Sequence, residues 1–180
     1  MLIDIIKQRQ SCRSYRPEGV PRELIFACLE AARLSPSACN AQPWHFIVVD
    51  ELPLKNDLCE AVFQGPYAMN RFAKEAPVVI AVITEASTFM ARIGGFLRGT
   101  RYGLIDLGIA VEHFALQATE LGLATCWIGW FHENKVKKIL RIPAHKKIGC
   151  LVCLGYPREE AREKNRKQPA DIISFNSYQS

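Results

Sequence analysis

Two stretches of the chain carry side chains whose types and spacing suit a flat, anionic ligand. The first is Arg9-Gln10-Ser11-Cys12-Arg13. On a helix Ser11 would face away from the arginines; on an extended segment Arg9, Ser11 and Arg13 point the same way. Two guanidiniums and a hydroxyl on one face make a phosphate clamp, because arginine offers paired charge-assisted donors. A solvated helix end, with the arginines favouring its C-terminal dipole, is the competing reading and stands level with it. The second stretch is Ser35 to Val49, SPSACNAQPWHFIVV. Small hydroxyl and amide residues let backbone approach a planar polar ligand and supply both donors and acceptors. The same residues also suit a helix cap followed by a turn.

Other chemistries find little support. The chain has no GxSxG, no HExxH and no glycine-rich loop ending in GKS or GKT. His45, His113, His132 and His145 are scattered. Cys150 and Cys153 form a CxxC, but within KIGCLVCLGY, which reads as a strand. Residues three apart on a strand face opposite ways, so no metal is expected there. With a phosphate clamp and no side chain set up as nucleophile or base, a bound cofactor is expected to do the chemistry.

The elements that must hold these stretches follow from periodicity. Residues 2–10 read as a short amphipathic helix ended by the loss of period and by Pro17. A second helix runs from Pro21 to about Leu34, and Trp44–Val49 is a strand. Residues 52–62 read as helix, broken at Gly65-Pro66, and Val78–Ile83 as a strand buried on both faces. Residues 85–100, with Phe89, Met90, Gly94, Gly95, Phe96 and Gly99, have no clear period and read as a mobile lid or a plain loop.

The longest helix spans about Arg101 to Leu121. Leu104, Leu107, Val111, Phe114, Ala118 and Leu121 form one apolar stripe; Ile105, Ile109 and Leu116 form another; Asp106, His113, Gln117 and Glu120 make a polar strip between. A helix with two apolar faces packs on two things, so either a second subunit covers one face or the helix is central and fully buried. Strands at Ala124–Ile128 and Lys147–Gly155 flank a short helix, Glu133 to Leu140. The alternation gives an α/β or α+β domain with helices covering a sheet. The tail from Tyr156 is charged, then mildly apolar at Ile172, Ile173 and Phe175; it wraps another subunit or frays.

The 180 residues are most simply one domain, with 23% charged residues and a net charge of +5. That charge is mild and unclustered, so no nucleic-acid partner is expected. No signal peptide and no membrane-spanning run is apparent, so the expected location is the cytoplasm. Seven scattered cysteines (12, 28, 39, 59, 126, 150 and 153) are then expected as free thiols.

Together the motifs resemble the nitroreductase family over nearly the whole chain. RQSCR is similar to the family's RRSxR, SPSACNAQPWHFIVV to its PSxxNxQPW, ELGLATCWIGWF to its GLGxxWIGxF, and NRKQP to its basic tail motif. The resemblance implies an α+β fold, a mixed and mainly antiparallel sheet covered by helices, in a homodimer with FMN at the interface. It places Arg9, Gln10, Ser11 and Arg13 at the phosphate, ribityl and pyrimidine end, with Arg13 beside N1 and O2. Pro36, Ser37, Ala38, Asn40 and Gln42 would come from the other subunit. Trp127, Ile128 and Gly129 would lie along the ring, with a backbone N–H near N5, and Arg166, helped by Lys164, would complete the phosphate clamp.

The implied activity is electron transfer from NADH or NADPH, through FMN, to a nitroaromatic, a quinone or a similar small electrophile, in ping-pong fashion and without a catalytic side chain. The same fold also implies alternatives: reductive dehalogenation, flavin fragmentation, ferredoxin-linked reduction, or a flavin-binding module that turns nothing over. The chain departs from the family pattern at Gln10, which replaces an arginine; at Trp130, which stands where a small residue is common and narrows the pocket; and in the shortness of the segment before the long helix. Residues 1–180 are expected to form one FMN-binding domain whose tail, about 157–180, wraps the partner.

Overall fold

The computed structural model describes residues 1–86 and 99–178. Most of the lid expected over 85–100, including Phe89, Met90, Gly94, Gly95 and Phe96, lies outside the described residues.

Four strands, β1 (Trp44–Val49), β2 (Val78–Thr84), β3 (Ala124–Ile128) and β4 (Lys147–Gly155), form one sheet in the order β1-β2-β4-β3. Every ladder is antiparallel. Among the described residues an isolated parallel bridge, Ser11 to Thr125, lies outside the named strands; helices cover the antiparallel sheet in the α+β arrangement the resemblance implies. Its faces carry two cores. Val78, Ile80 and Val82 of β2, with Val152 and Leu154 of β4, pack with α2 (Arg22–Arg33) and the long helix α4 (Tyr102–Glu120). Val79, Ala81 and Ile83, with Leu151 and Cys153, pack with α3 (Leu52–Val62) and α5 (Glu133–Ile139). The unbroken apolar run of β2 is thus explained: both faces are covered.

Strict alternation fails once, at Gly149. The register passes from Val82↔Cys150 to Ile83↔Ile148, leaving Gly149 as an extra residue. This bulge turns Ile148 to the face of Leu151 rather than that of Cys150. Cys150 and Cys153 lie in opposite cores, so the CxxC does not converge. Among the described residues no group of His, Cys, Asp or Glu is placed to hold a metal, and no helix is long and apolar enough to cross a membrane.

Three expectations need correction. The first helix, α1 (Leu2–Gln8), stops before Arg9, whose ψ of 124° has already left helical space, so Pro17 does not end it. Gly65-Pro66 does not simply break structure: it opens a run of 3-10 turns, Gly65–Lys74, that covers the α3 side. On α4 the apolar stripe is buried from Leu107 to Ala118. Leu104 and Ile105 remain 48% and 51% exposed in the single chain, while Asp106, expected in a polar strip, is buried.

Gly155, at the end of β4, is packed without room for a side chain. A Cβ there would meet Pro77 Cδ at 2.5 Å and Tyr15 Cδ1 at 3.0 Å. Gly155→Ala should therefore lower stability by about 1–3 kcal/mol in urea unfolding; an unchanged midpoint would contradict this packing.

Candidate functional site

Residues 11–16 leave α1 in an extended conformation and run along the free edge of β3. The Cys12 N–H donates to the Thr125 carbonyl at 2.9 Å. The segment then meets the start of the tail, where Arg16 N–H donates to Tyr156 and Arg158 N–H to Ser14. Tyr15 is fully buried, its hydroxyl donating to the Cys12 carbonyl at 2.9 Å. With Cys12 and Tyr15 turned inward, Ser11 and Arg13 stay exposed. The extended reading therefore holds for Ser11 and Arg13, while Arg9 caps the end of α1 and lines the same cleft.

This segment and the tail enclose a cleft of about 530 Å³, lined by residues 9–14 and by Glu159, Arg162, Glu163, Lys164, Asn165 and Arg166. Five cations (Arg9, Arg13, Arg162, Lys164 and Arg166) face two carboxylates (Glu159 and Glu163). Arg162 pairs with Glu159 at 2.7 Å, and Arg9 with Glu112 of α4 at 3.0 Å. Lys164 donates to the Arg9 carbonyl. Desolvation, with Arg9 and Arg166 close by, holds the Lys164 ammonium below its usual pKa. A cleft whose cations repel one another in this way favours an anion. Gln10 lines it too, but its side chain is engaged by the tail: its Oε1 accepts the Arg162 N–H at 3.0 Å and its Nε2 donates to the Glu160 carbonyl at 3.3 Å, which ties the tail down.

The second stretch lies elsewhere. Pro36, Ser37, Ala38, Asn40 and Gln42 line no part of that cleft within one chain. A 3-10 turn, Ala38–Asn40, carries them, and Cys39, Asn40 and Gln42 have φ of 52°, 51° and 46°. Three non-glycine residues in left-handed space cost roughly 1–3 kcal/mol each and need outside support. Ser37 Oγ accepts the Gln42 N–H at 2.9 Å. Ser35, 6% exposed, hydrogen-bonds His113 Nδ1 at 2.7 Å. Ala38 N–H donates to Asp106 Oδ1 at 3.1 Å, while Asp106 Oδ2 is buried without a partner among the described residues.

The third group follows β3. Trp127 is 36% exposed and Gly129 is exposed; Ile128 is in the core at 2%, so only its backbone can face a ligand. A Cβ on Gly129 would meet nothing within 4 Å, leaving that backbone open to close approach. The Gly65–Lys74 turns stand alongside. Arg13 lies over the Phe72 ring, 5.8 Å from its centroid, and Asn70 Nδ2 donates to the Trp130 carbonyl at 2.8 Å.

Sequence reasoning passed over Asp106, Glu112 and Asn70. Asp106 carried one usable signal, a lone acid amid the apolar first half of α4. Glu112 and Asn70 carried none, because their partners are remote in sequence.

The nitroreductase family model matches residues 6–156. A protein of Methanothermobacter thermautotrophicus, provisionally named NADH dehydrogenase/NAD(P)H nitroreductase, is 35% identical over 95% of this chain and 85% of its own length. A solved FMN-dependent nitroreductase from Clostridium difficile superposes with a TM-score of 0.77 at 27% identity, covering 98% of this chain and 99% of that one. An iodotyrosine deiodinase of Thermotoga neapolitana is 25% identical over 99% of both chains.

The strained loop depends on α4 through Asp106. Asp106→Ala should raise amide exchange at Ala38 about tenfold or more, the loss of one charge-assisted hydrogen bond, while Asp106→Asn keeps an acceptor and most of the protection. Equal exchange in wild type and Asp106→Ala would refute this anchoring.

Proposed function

Because the chain belongs to the nitroreductase family, we propose that it is an FMN-dependent enzyme passing electrons from NADH or NADPH to nitroaromatic, quinone or similar acceptors. The family match makes the chain an oxidoreductase. The cationic cleft between residues 9–14 and the tail carries the finer reading. Its excess of fixed cations, the lowered Lys164 pKa and the open backbone at Gly129 fit a phosphate-bearing planar group.

In this reading Arg9, Ser11, Lys164 and Arg166 hold the phosphate. Gln10 serves by fastening the tail that carries Lys164 and Arg166. Pro36, Ser37, Ala38, Asn40 and Gln42 complete the site from a second subunit, and Trp127, Gly129 and the Ile128 backbone flank the ring. FMN supplies reversible two-electron chemistry when bound. Arg13 would stand at the pyrimidine end, where a guanidinium favours negative charge, and the Gly129 backbone N–H would be a donor to the ring edge. One open face used in turn by donor and acceptor gives ping-pong kinetics. No side chain is assigned as nucleophile or general base.

A homodimer accounts for the apolar surface a single chain leaves uncovered: Leu2 at 64%, Ile3 at 48% and Ile6 at 41% on α1, and Ile172 at 66% and Phe175 at 80% in the tail. Residues 1–180 then form one FMN-binding domain, its tail from about 157 wrapping the partner. Reductive dehalogenation is the second reading. It is favoured by the deiodinase-named relative that aligns over nearly the whole chain, and release of halide from a halogenated phenol would distinguish it.

Anaerobic stopped-flow mixing with NADH and NADPH tests the proposal. Loss of the visible flavin absorbance with either donor is expected; no reduction by both removes the nicotinamide step. Arg13→Ala should slow flavin reduction tenfold or more while FMN affinity falls less. Equal losses would contradict its place at the reacting end. Truncation after Lys167 should weaken the dimer on size-exclusion chromatography, and an unchanged elution volume would rule out the wrapped tail.

A further inference from the structure

We propose that Glu112 of α4 is a positioning residue for the phosphate clamp: it holds the Arg9 guanidinium at the cleft while touching no ligand itself. The inference rests on the flavin reading above and deepens it, because it names the group that keeps the phosphate end of the site in shape.

Arg9 needs an outside hold. It caps α1, a helix of seven residues with none buried. A helix that short gains little from its own turns and holds its last residue loosely. Arginine is also a long side chain, and ordering it costs entropy, either in the empty protein or when a ligand binds. Glu112 supplies the hold: its Oε1 lies 3.0 Å from Arg9 Nε. That nitrogen is buried and makes no hydrogen bond among the described residues, so the contact is an ion pair rather than an aligned hydrogen bond. It engages the guanidinium beside its stem, and the fork of terminal N–H groups beyond is the part that suits a phosphate. Arg9 lines the cleft and Glu112 does not, so the carboxylate acts through the arginine. Its mount is rigid where α1 is not: α4 runs for nineteen residues and packs Leu107, Val111 and Phe114 into the core with the sheet and α2.

The hold passes to a second cation. The Arg9 carbonyl accepts from the Lys164 ammonium, so fixing Arg9 also fixes an anchor of the tail. Desolvation first, then Arg9 and Arg166, push the Lys164 pKa down, and Glu112 pushes it back up. One carboxylate outside the cleft thus lets two of its cations stand close together before any anion arrives. A carboxylate near the clamp also repels a phosphate. Its pairing with Arg9 at 3.0 Å offsets that repulsion, so the positioning effect is the larger of the two.

The test compares FMN with riboflavin, which shares the ring and ribityl chain and lacks the phosphate. Binding of each to protein stripped of flavin is followed by quenching of flavin fluorescence, so no turnover enters the readout. Glu112→Gln keeps the shape of the side chain and removes its charge. It should raise the FMN Kd about three- to fivefold, the upper range for a part-exposed ion pair, and leave the riboflavin Kd within about 1.5-fold. In an Arg9→Ala background the same substitution should cause no such loss, because the effect runs through Arg9. Tighter FMN binding by Glu112→Gln would mean that the carboxylate merely repels phosphate, and overturns the proposal. An equal loss for FMN and riboflavin, or a loss that persists without Arg9, also overturns it, since either marks a general packing role for Glu112. A wild type that binds FMN tightly, with a variant that binds it as well, overturns the role of Glu112 alone. A wild type that binds neither flavin contradicts the flavin reading and the positioning role with it.

Discussion

The site depends on a short stretch of backbone pairing. Residues 11–16 can be extended only because β3 has a free edge on one side and the tail closes on the other. Unpaired edge groups are a liability, and the Cys12 N–H bond to Thr125 satisfies part of that edge. With the segment pinned there, alternation brings Ser11 and Arg13 outward while Cys12 goes into the core. The same pairing draws the tail across, so Lys164 and Arg166, more than 150 residues from Arg9 and Ser11, reach the same cleft. Gathering these cations costs desolvation first and mutual repulsion second, both of which hold the Lys164 pKa down, and an anion relieves the repulsion.

The loop side of the site depends on α4. Its inner stripe is ordinary core: Leu107, Val111, Phe114 and Ala118 against the sheet and α2. Its polar residues do something different. Asp106 and His113 reach the loop Ser35–Gln42, and Glu112 reaches Arg9. One rigid helix thus touches both motifs that the sequence singled out. Three left-handed residues within four positions would not persist on an untethered loop, so the buried Asp106 carboxylate and the Ser35–His113 bond are what keep it in place. In the proposed dimer the loop of one subunit and the cleft of the other would meet across the interface, and α4 would set their separation.

Much of this was legible in the sequence because the signals were local. β2 is apolar throughout and is buried on both faces; β3 and β4 lie at the boundaries that their composition marks, and Gly122 at the end of α4 has the positive φ of a helix terminator. What was not legible was non-local. The end of α1 is decided by pairing with β3 rather than by Pro17. The Gly65–Lys74 turns have little period of their own, yet they position Phe72, Asn70 and the prop for Trp130. Asp106 looked like part of a polar strip because helical spacing cannot reveal that a loop 68 residues earlier in the chain caps that face. Gln10 looked like a weakened clamp residue, and its actual partners are backbone groups of a tail more than 140 residues away.

The central claim is that the cationic cleft and the loop before Trp44 exist to hold FMN. The most direct measurement is the absorbance spectrum of freshly purified protein, followed by heat release and chromatography of any pigment. The account predicts a yellow protein that releases FMN, about one per chain. A colourless protein that also fails to take up added FMN would contradict it, and the cleft would then belong to some other phosphate ligand.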